Sequence, residues 1–104
     1  MGDGQASERV VVIRNRLGLH ARPAAEFVKM SSRFESHVSV ARDDLEVNGK
    51  SIMGVMMLAA ECGARLRICA RGPDARRAVD ALAELVDGGF GESAGRPSGT
   101  GPGT

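Results

Sequence analysis

The segment from Leu17 to Ala24 holds the residues of this sequence that are best suited to chemistry. His20 stands where a β-like apolar run changes to a helical pattern, and Arg22 and Pro23 follow it closely. The first amides of a helix are unpaired and its start carries a partial positive charge, so this position favours an anion. Histidine is a nucleophile near neutral pH, arginine is a permanent cation, and proline suits the first helical turn. The pattern indicates a histidine that carries a phosphoryl group.

Length and composition limit the class of protein. The 104 residues suffice for one small domain, and 42% apolar with 26% charged residues is typical of a globular protein. A formal net charge of +1 and only three aromatic residues, all Phe, argue against a nucleic-acid site built on a basic face or on stacked bases. No apolar run approaches the roughly 20 residues that cross a bilayer, and no signal peptide is recognisable. We therefore expect a cytoplasmic protein without membrane insertion.

The cysteines and histidines offer no further site. Cys62 and Cys69 do not form a C-x-x-C pair, and with His20 and His37 they match no compact zinc spacing. We expect two reduced thiols, no disulfide and no bound metal.

The elements that must position His20 follow from the period of the apolar residues. Runs of β-branched residues or strict alternation predict strands, and apolar positions spaced by three and four predict helices. The predicted strands lie at residues 9–14, 37–42, 45–47 and 65–71, and the predicted helices at about 21–33, 52–58 and 73–87. This β-α-β-β-α-β-α order predicts an α+β fold, an antiparallel sheet with helices on one face. The domain would span 9–90, and we expect disorder in residues 1–8 and in the Gly/Ser/Pro/Thr-rich residues 91–104.

Two motifs within these elements resemble those of the histidine-containing phosphocarrier (HPr) family of the bacterial phosphoenolpyruvate-dependent sugar phosphotransferase system. They are GLHARPA at 18–24 and NGKSIMGVM at 48–56, and the resemblance covers residues 9–90. The resemblance implies an open-faced β-sandwich, in which three helices cover one face of a four-stranded antiparallel sheet.

The same resemblance implies a function for individual residues. His20 would accept a phosphoryl group on a ring nitrogen from phosphorylated enzyme I and pass it to the IIA components of sugar permeases, and Arg22 would neutralise the phosphate. The protein would be a covalent carrier rather than a turnover enzyme, and no cofactor is implied. Ser51 matches the serine that HPr kinase/phosphorylase phosphorylates in bacteria that possess it. A serine at this position also caps a helix whether or not a kinase exists, so both interpretations of Ser51 stay open.

Such a carrier needs a surface for transient partners, and a small apolar patch suits them better than a large obligate interface. Methionines adapt to several partner surfaces. The candidates around His20 are apolar residues of the first motif and of the short helix: Leu19, Ile52, Met53, Met56 and Met57. We expect the carrier to be a monomer.

Two alternatives to the sugar carrier stay open. One is a regulatory binding module controlled through Ser51, and the other is a nitrogen-related paralogue with the same chemistry. The presence of both His20 and Arg22 favours a carrier, because a pure regulator needs no nucleophile.

Overall fold

The structure, a computed structural model, describes residues 5–92, so the predicted disorder of residues 1–4 and 93–104 lies outside the described residues. Its elements are β1 (Ala6–Val12), α1 (Ala21–Ser31), β2 (His37–Arg42), β3 (Leu45–Asn48), α2 (Ile52–Met57), β4 (Arg65–Arg71) and α3 (Ala75–Asp87), followed by a short 3-10 turn at Gly89–Gly91. The predicted order of elements is confirmed. Within the described range, no helix is long and apolar enough to cross a membrane.

The four strands form one antiparallel sheet in the order β1-β4-β2-β3. α3 packs against β1 and β4, and α1 packs against both α2 and α3, so the helices lie together. The predicted α+β open-faced sandwich is confirmed. The loop between β1 and α1 carries His20.

The core lies between the sheet and the helices. β4 shows the predicted alternation, because Leu66, Ile68 and Ala70 are buried while the residues between them face the open side. Phe27 of α1 and Leu82 of α3 complete the core from the helical side. Full burial of such a side chain contributes about 1.5–3 kcal/mol, so packing holds these helices on the sheet.

β1 differs from its predicted bounds of 9–14. It begins at Ala6, because the ladder with β4 continues through Ala6–Arg71, Ser7–Ala70 and Glu8–Cys69. The predicted disorder is therefore wrong for residues 6–8. These residues lack a clear strand signal, and pairing with a neighbouring strand decides their conformation.

Asp74 is the N-cap residue of α3, but its carboxylate binds Ser36 rather than the amides of the helix. Its carboxylate makes no cap bond to α3 and instead accepts hydrogen bonds from the Ser36 hydroxyl at 2.6 Å and the Ser36 amide at 2.9 Å. The bond from the Ser36 hydroxyl, followed by a bond from the Glu35 amide, lowers the pKa of Asp74 to about 2. The ionised carboxylate thus ties the start of β2 to the start of α3.

Candidate functional site

His20 is the N-cap residue of α1. Its backbone is extended, at φ −76° and ψ −170°, and its carbonyl accepts the first helical hydrogen bond from the Ala24 amide at 3.1 Å. No side-chain cap bond is present here in the described part of the chain, so the first amides of α1 stay available to an anion. Pro23 is buried in the first turn, where its missing N–H leaves no bond unmade.

Backbone contacts place this loop on the segment that follows α2. The Leu19 amide donates to the Ala60 carbonyl at 2.9 Å. Gly18 has φ +70°, and a Cβ atom at this position would lie 2.5 Å from the Ala60 carbonyl oxygen. A residue with a side chain would be strained and would also clash, so glycine is required here. The position of His20 thus depends on a close approach of two backbone segments.

Leu19 does not belong to a docking surface, and its assignment to the predicted patch is wrong. It is only 6% exposed and belongs to the hydrophobic core, because its backbone bond to Ala60 sets the chain close to the core. Leu17, two residues earlier, is 68% exposed. The pattern Leu-Gly-Leu has no helical or strand period, so the sequence could not show which of the two leucines points inward.

The ring of His20 contacts a residue that the sequence analysis missed. Nε2 lies 3.1 Å and 3.0 Å from the two carboxylate oxygens of Glu92, which follows the 3-10 turn after α3. The His20 side chain is 38% exposed and the Glu92 side chain 17%. The ring therefore remains accessible while one of its nitrogens is occupied.

Arg22 is joined to the same carboxylate. Its Nε donates to Glu92 at 2.8 Å, and its Nη2 donates to the Phe90 carbonyl at 2.6 Å. The guanidinium is thus linked to the His20 ring through the Glu92 carboxylate, and half of the Arg22 side chain is exposed. Its predicted contact with a phosphate remains a prediction.

Asn15 completes the network from inside. It is fully buried, and its Nδ2 donates to the Gly18 carbonyl at 2.7 Å and to Glu92 at 2.9 Å. One side chain therefore holds both the loop before His20 and the carboxylate beside it. Asn15 could not be predicted from the sequence, because a lone asparagine after a strand is typical of any turn.

The chain returns to His20 through the sequence Gly89-Phe90-Gly91. All three residues have positive φ, at +67°, +55° and +76°, and the buried Phe90 side chain packs against the core. The predicted disordered tail from residue 91 onward is therefore wrong for residues 91 and 92. A signal was present in the sequence, since Phe90 is a single large apolar residue between two glycines, placed to anchor a turn.

Glu92 is an anion already present in the site. The hydrogen bond from His20 is the main cause that lowers the pKa of Glu92 to about 2, and the bonds from Asn15 and Arg22 add to it against the cost of desolvation. The carboxylate is therefore ionised at neutral pH.

α2 supplies the second predicted region. Ser51 is its N-cap residue, and the Ser51 hydroxyl accepts a hydrogen bond from the Gly54 amide at 3.1 Å. Four large apolar side chains of this helix that we predicted for docking are exposed: Ile52 by 45%, Met53 by 75%, Met56 by 41% and Met57 by 64%. We call these four residues the α2 apolar face. Its role in docking remains a prediction.

The other candidate groups stay separate from this site. Cys62 and Cys69 are both free thiols, and burial raises the pKa of Cys69. Over residues 5–92 no three His, Cys, Asp or Glu side chains are grouped to hold a metal ion.

Fold and site define a small α+β protein that presents one histidine at the start of a helix, beside an arginine. The family model PTS-HPr, the PTS HPr component phosphorylation site, matches residues 7–87. Phosphocarrier protein HPr of Treponema pallidum is 46% identical over 84 residues, which cover 81% of this chain and 96% of that protein. The protein therefore belongs to the HPr family of phosphocarrier proteins of the phosphotransferase system.

Solved structures agree with this assignment. The crystal structure of HPr-C-His from Thermoanaerobacter tengcongensis has a TM-score of 0.80 and 44% identity, and the match covers 84% of this chain and 98% of that one. The crystal structure of Crh, the catabolite repression containing protein of Bacillus subtilis, described as a dimer with a swapping domain, has a TM-score of 0.66 and 43% identity. That match covers 76% of this chain and 91% of Crh.

Proposed function

We propose that this protein carries phosphoryl groups in the phosphotransferase system, from phosphorylated enzyme I to IIA proteins, on the ring of His20. The observation that carries the proposal is the accessible His20 ring at the uncapped start of α1, next to Arg22, in a chain of the HPr family. The proposed carrier is not a turnover enzyme. It works in the cytoplasm, and its domain comprises residues 6–92.

The geometry supplies what phosphoryl transfer asks of a protein. The transfer needs in-line positioning and positive charge near the phosphate oxygens. The first amides of α1 and the Arg22 guanidinium provide that charge. Because two partner proteins must reach the same nitrogen in turn, partial exposure of the ring suits a carrier better than a closed pocket.

A carrier must also release the group. Arg22 is engaged by Glu92 and by the Phe90 carbonyl, so a phosphate that recruits Arg22 competes with these acceptors. This competition keeps the net stabilisation of the phosphate moderate. A phosphoramidate held moderately remains a good donor for the next partner.

The α2 apolar face is the proposed docking surface for enzyme I and IIA proteins. Its four side chains are exposed on the helix that packs beside α1, and flexible methionines fit more than one partner. Leu17, in the loop just before His20, is a further exposed apolar residue of this region. Transient complexes of this kind suit a monomeric carrier. The molecular mass in solution would distinguish a monomer from a dimer such as that described for Crh.

Regulation at Ser51 is a second candidate function. Phosphorylation would add roughly −1.5 to −2 charges directly before the α2 apolar face and would repel a partner with acidic residues. The likeness to Crh, whose description refers to catabolite repression, favours a regulatory role beside the carrier role. Whether the carrier serves sugars or a nitrogen-related branch depends on which IIA proteins accept its phosphate.

Incubation with enzyme I and phosphoenolpyruvate tests the carrier. We expect a phosphate on the protein that is labile in acid and stable in base, and we expect His20→Ala to lack it. His37→Ala is the matched control, because His37 is exposed on β2 and should leave the reaction unchanged. A wild-type protein that gains no acid-labile phosphate would refute the proposal.

A separate incubation tests the regulatory role. With ATP and HPr kinase/phosphorylase, we expect an acid-stable phosphate that Ser51→Ala removes. If Ser51 acts only as the helix cap seen here, no acid-stable phosphate forms.

A further inference from the structure

The contact between Glu92 and His20 involves both oxygens of one carboxylate. Nε2 lies 3.1 Å and 3.0 Å from them, and an ionised carboxylate offers only acceptors. A hydrogen on Nε2 satisfies this contact, whereas a lone pair on Nε2 would face two negative oxygens. In the neutral ring the hydrogen is then on Nε2 and the lone pair on Nδ1.

We propose that Glu92 is a positioning residue for phosphoryl transfer: it holds the hydrogen on Nε2 of His20, which leaves Nδ1 as the nucleophile, and it stabilises the positive charge of the phosphorylated ring. The inference rests on the proposed carrier function and assigns a role to a residue outside both sequence motifs. A carboxylate that holds a histidine in one tautomer and stabilises the imidazolium acts in the same way in serine hydrolases.

The transfer then needs no movement of a proton. The lone pair of Nδ1 forms a bond to phosphorus, while the bond between phosphorus and the donor breaks and its electron pair leaves with the donor. The ring keeps its Nε2 hydrogen and gains one positive charge beside the Glu92 carboxylate. In the onward step the N–P bond breaks, its electron pair returns to Nδ1, and a neutral imidazole leaves. Neutral imidazole is a better leaving group than the imidazolate that would form if Nε2 had lost its hydrogen.

The surroundings of Glu92 are built to hold it. Asn15 donates to one of its oxygens from a fully buried position, and Arg22 donates to the other. The buried Phe90 anchors the turn that brings Glu92 to the ring. Three attachments from separate parts of the chain therefore preorganise one carboxylate against one nitrogen.

Two variants of the full chain separate the two parts of the role. Glu92→Ala removes the acceptor, and Glu92→Gln keeps the shape but removes the charge. For Glu92→Ala, 15N NMR of the unphosphorylated His20 ring should show a mixture of tautomers in place of the Nε2–H form of wild type. For Glu92→Gln, we expect phosphoryl transfer from phosphorylated enzyme I to be about ten- to hundred-fold slower, the loss expected for one charge-assisted hydrogen bond.

Controls exclude simpler explanations. Glu84→Ala and Glu84→Gln change an exposed glutamate of α3 and should match wild type in both measurements. Loss of the Glu92 charge frees Arg22 for the phosphate, which by itself would favour transfer, so a slower reaction cannot come from that change. Glu92→Asp keeps the charge and should recover part of the rate that Glu92→Gln loses, whereas a general disturbance of the fold would not be relieved by the shorter side chain.

The outcomes distinguish the inference from the carrier function. A wild-type protein that accepts no phosphate refutes the carrier and the inference together. If wild type accepts phosphate on His20, an unchanged tautomer in Glu92→Ala or an unchanged rate in Glu92→Gln overturns the role of Glu92 and leaves the carrier intact.

Discussion

The N-cap residues of α1 and α2 are both proposed to carry phosphate, but they differ in their bonds to the helix. Within the described part of the chain, His20 makes no side-chain cap bond, whereas the Ser51 hydroxyl accepts a hydrogen bond from the Gly54 amide. α1 has 11 residues and buries Phe27, so packing stabilises it without a cap. α2 has only 6 residues and buries Val55 alone of these six. Helices this short are marginal by themselves, so the Ser51 cap matters more there.

The comparison shows how one small domain can separate chemistry from structural support. The amides at the start of α1 are available because tertiary contacts place His20: the close approach of Gly18 to Ala60 and the bonds from Asn15. At α2 the capping side chain is itself the proposed target of modification. A phosphate at His20 would therefore meet free amides, while a phosphate at Ser51 would alter an existing cap.

The largest expected effect on stability tests the claim that backbone contacts place His20. Gly18→Ala should lower the free energy of unfolding by about 2–4 kcal/mol, because the positive φ strains an alanine and its Cβ would meet the Ala60 carbonyl. Chemical denaturation measures the loss. Gly63→Ala is the matched control, since Gly63 also has positive φ, at +94°, but no described atom lies within 4 Å of a Cβ there. Equal losses in the two variants would show that strain alone, and not the close approach, decides the conformation.

A smaller effect compares the two N-cap residues directly. Ser51→Ala should cost about 1 kcal/mol of unfolding free energy, because the Gly54 amide loses its partner. In a Glu92→Ala background, which removes the contact between His20 and Glu92, His20→Ala should cost less, since the His20 side chain makes no cap bond that the structure describes. The same denaturation measurement applies to both. A larger loss at His20 than at Ser51 would contradict the contrast between an open and a capped helix start.

The smallest effect concerns pH. Bonds from His20, Asn15 and Arg22 lower the pKa of Glu92 from 4.5 to about 2, so its contribution to stability is complete above pH 4.5 and is lost as the pH falls towards 2. The difference in Tm between wild type and Glu92→Gln should therefore shrink over that range. Asp74 titrates in the same range in both proteins, and its contribution cancels in the difference. A difference that stays constant down to pH 2 would show that the carboxylate charge contributes nothing.

Much of the fold was predictable because its signals are local. The alternation in β4, the apolar stripes of α1 and α3 and the Ser51 cap each lie within one element, and the structure confirms them. The predictions that were wrong concern segments in which the apolar residues show neither a helical nor a strand period. Leu17 and Leu19 flank a glycine in a loop, and the first residues of β1 are polar and paired only through β4.

The sequence by itself determined the order of the elements and the family, and it supplied the proposed roles of His20, Arg22 and Ser51, because short motifs and periods lie in neighbouring positions. Only the tertiary structure decided what surrounds the histidine. Glu92 lies 72 residues from His20 along the chain, and Arg22 reaches Phe90 across 68. Contacts at such separations arise when packing brings distant segments together, as the buried Phe90 does here. The sequence around Phe90 marks a turn, but no local pattern identifies the distant residues that the turn will meet.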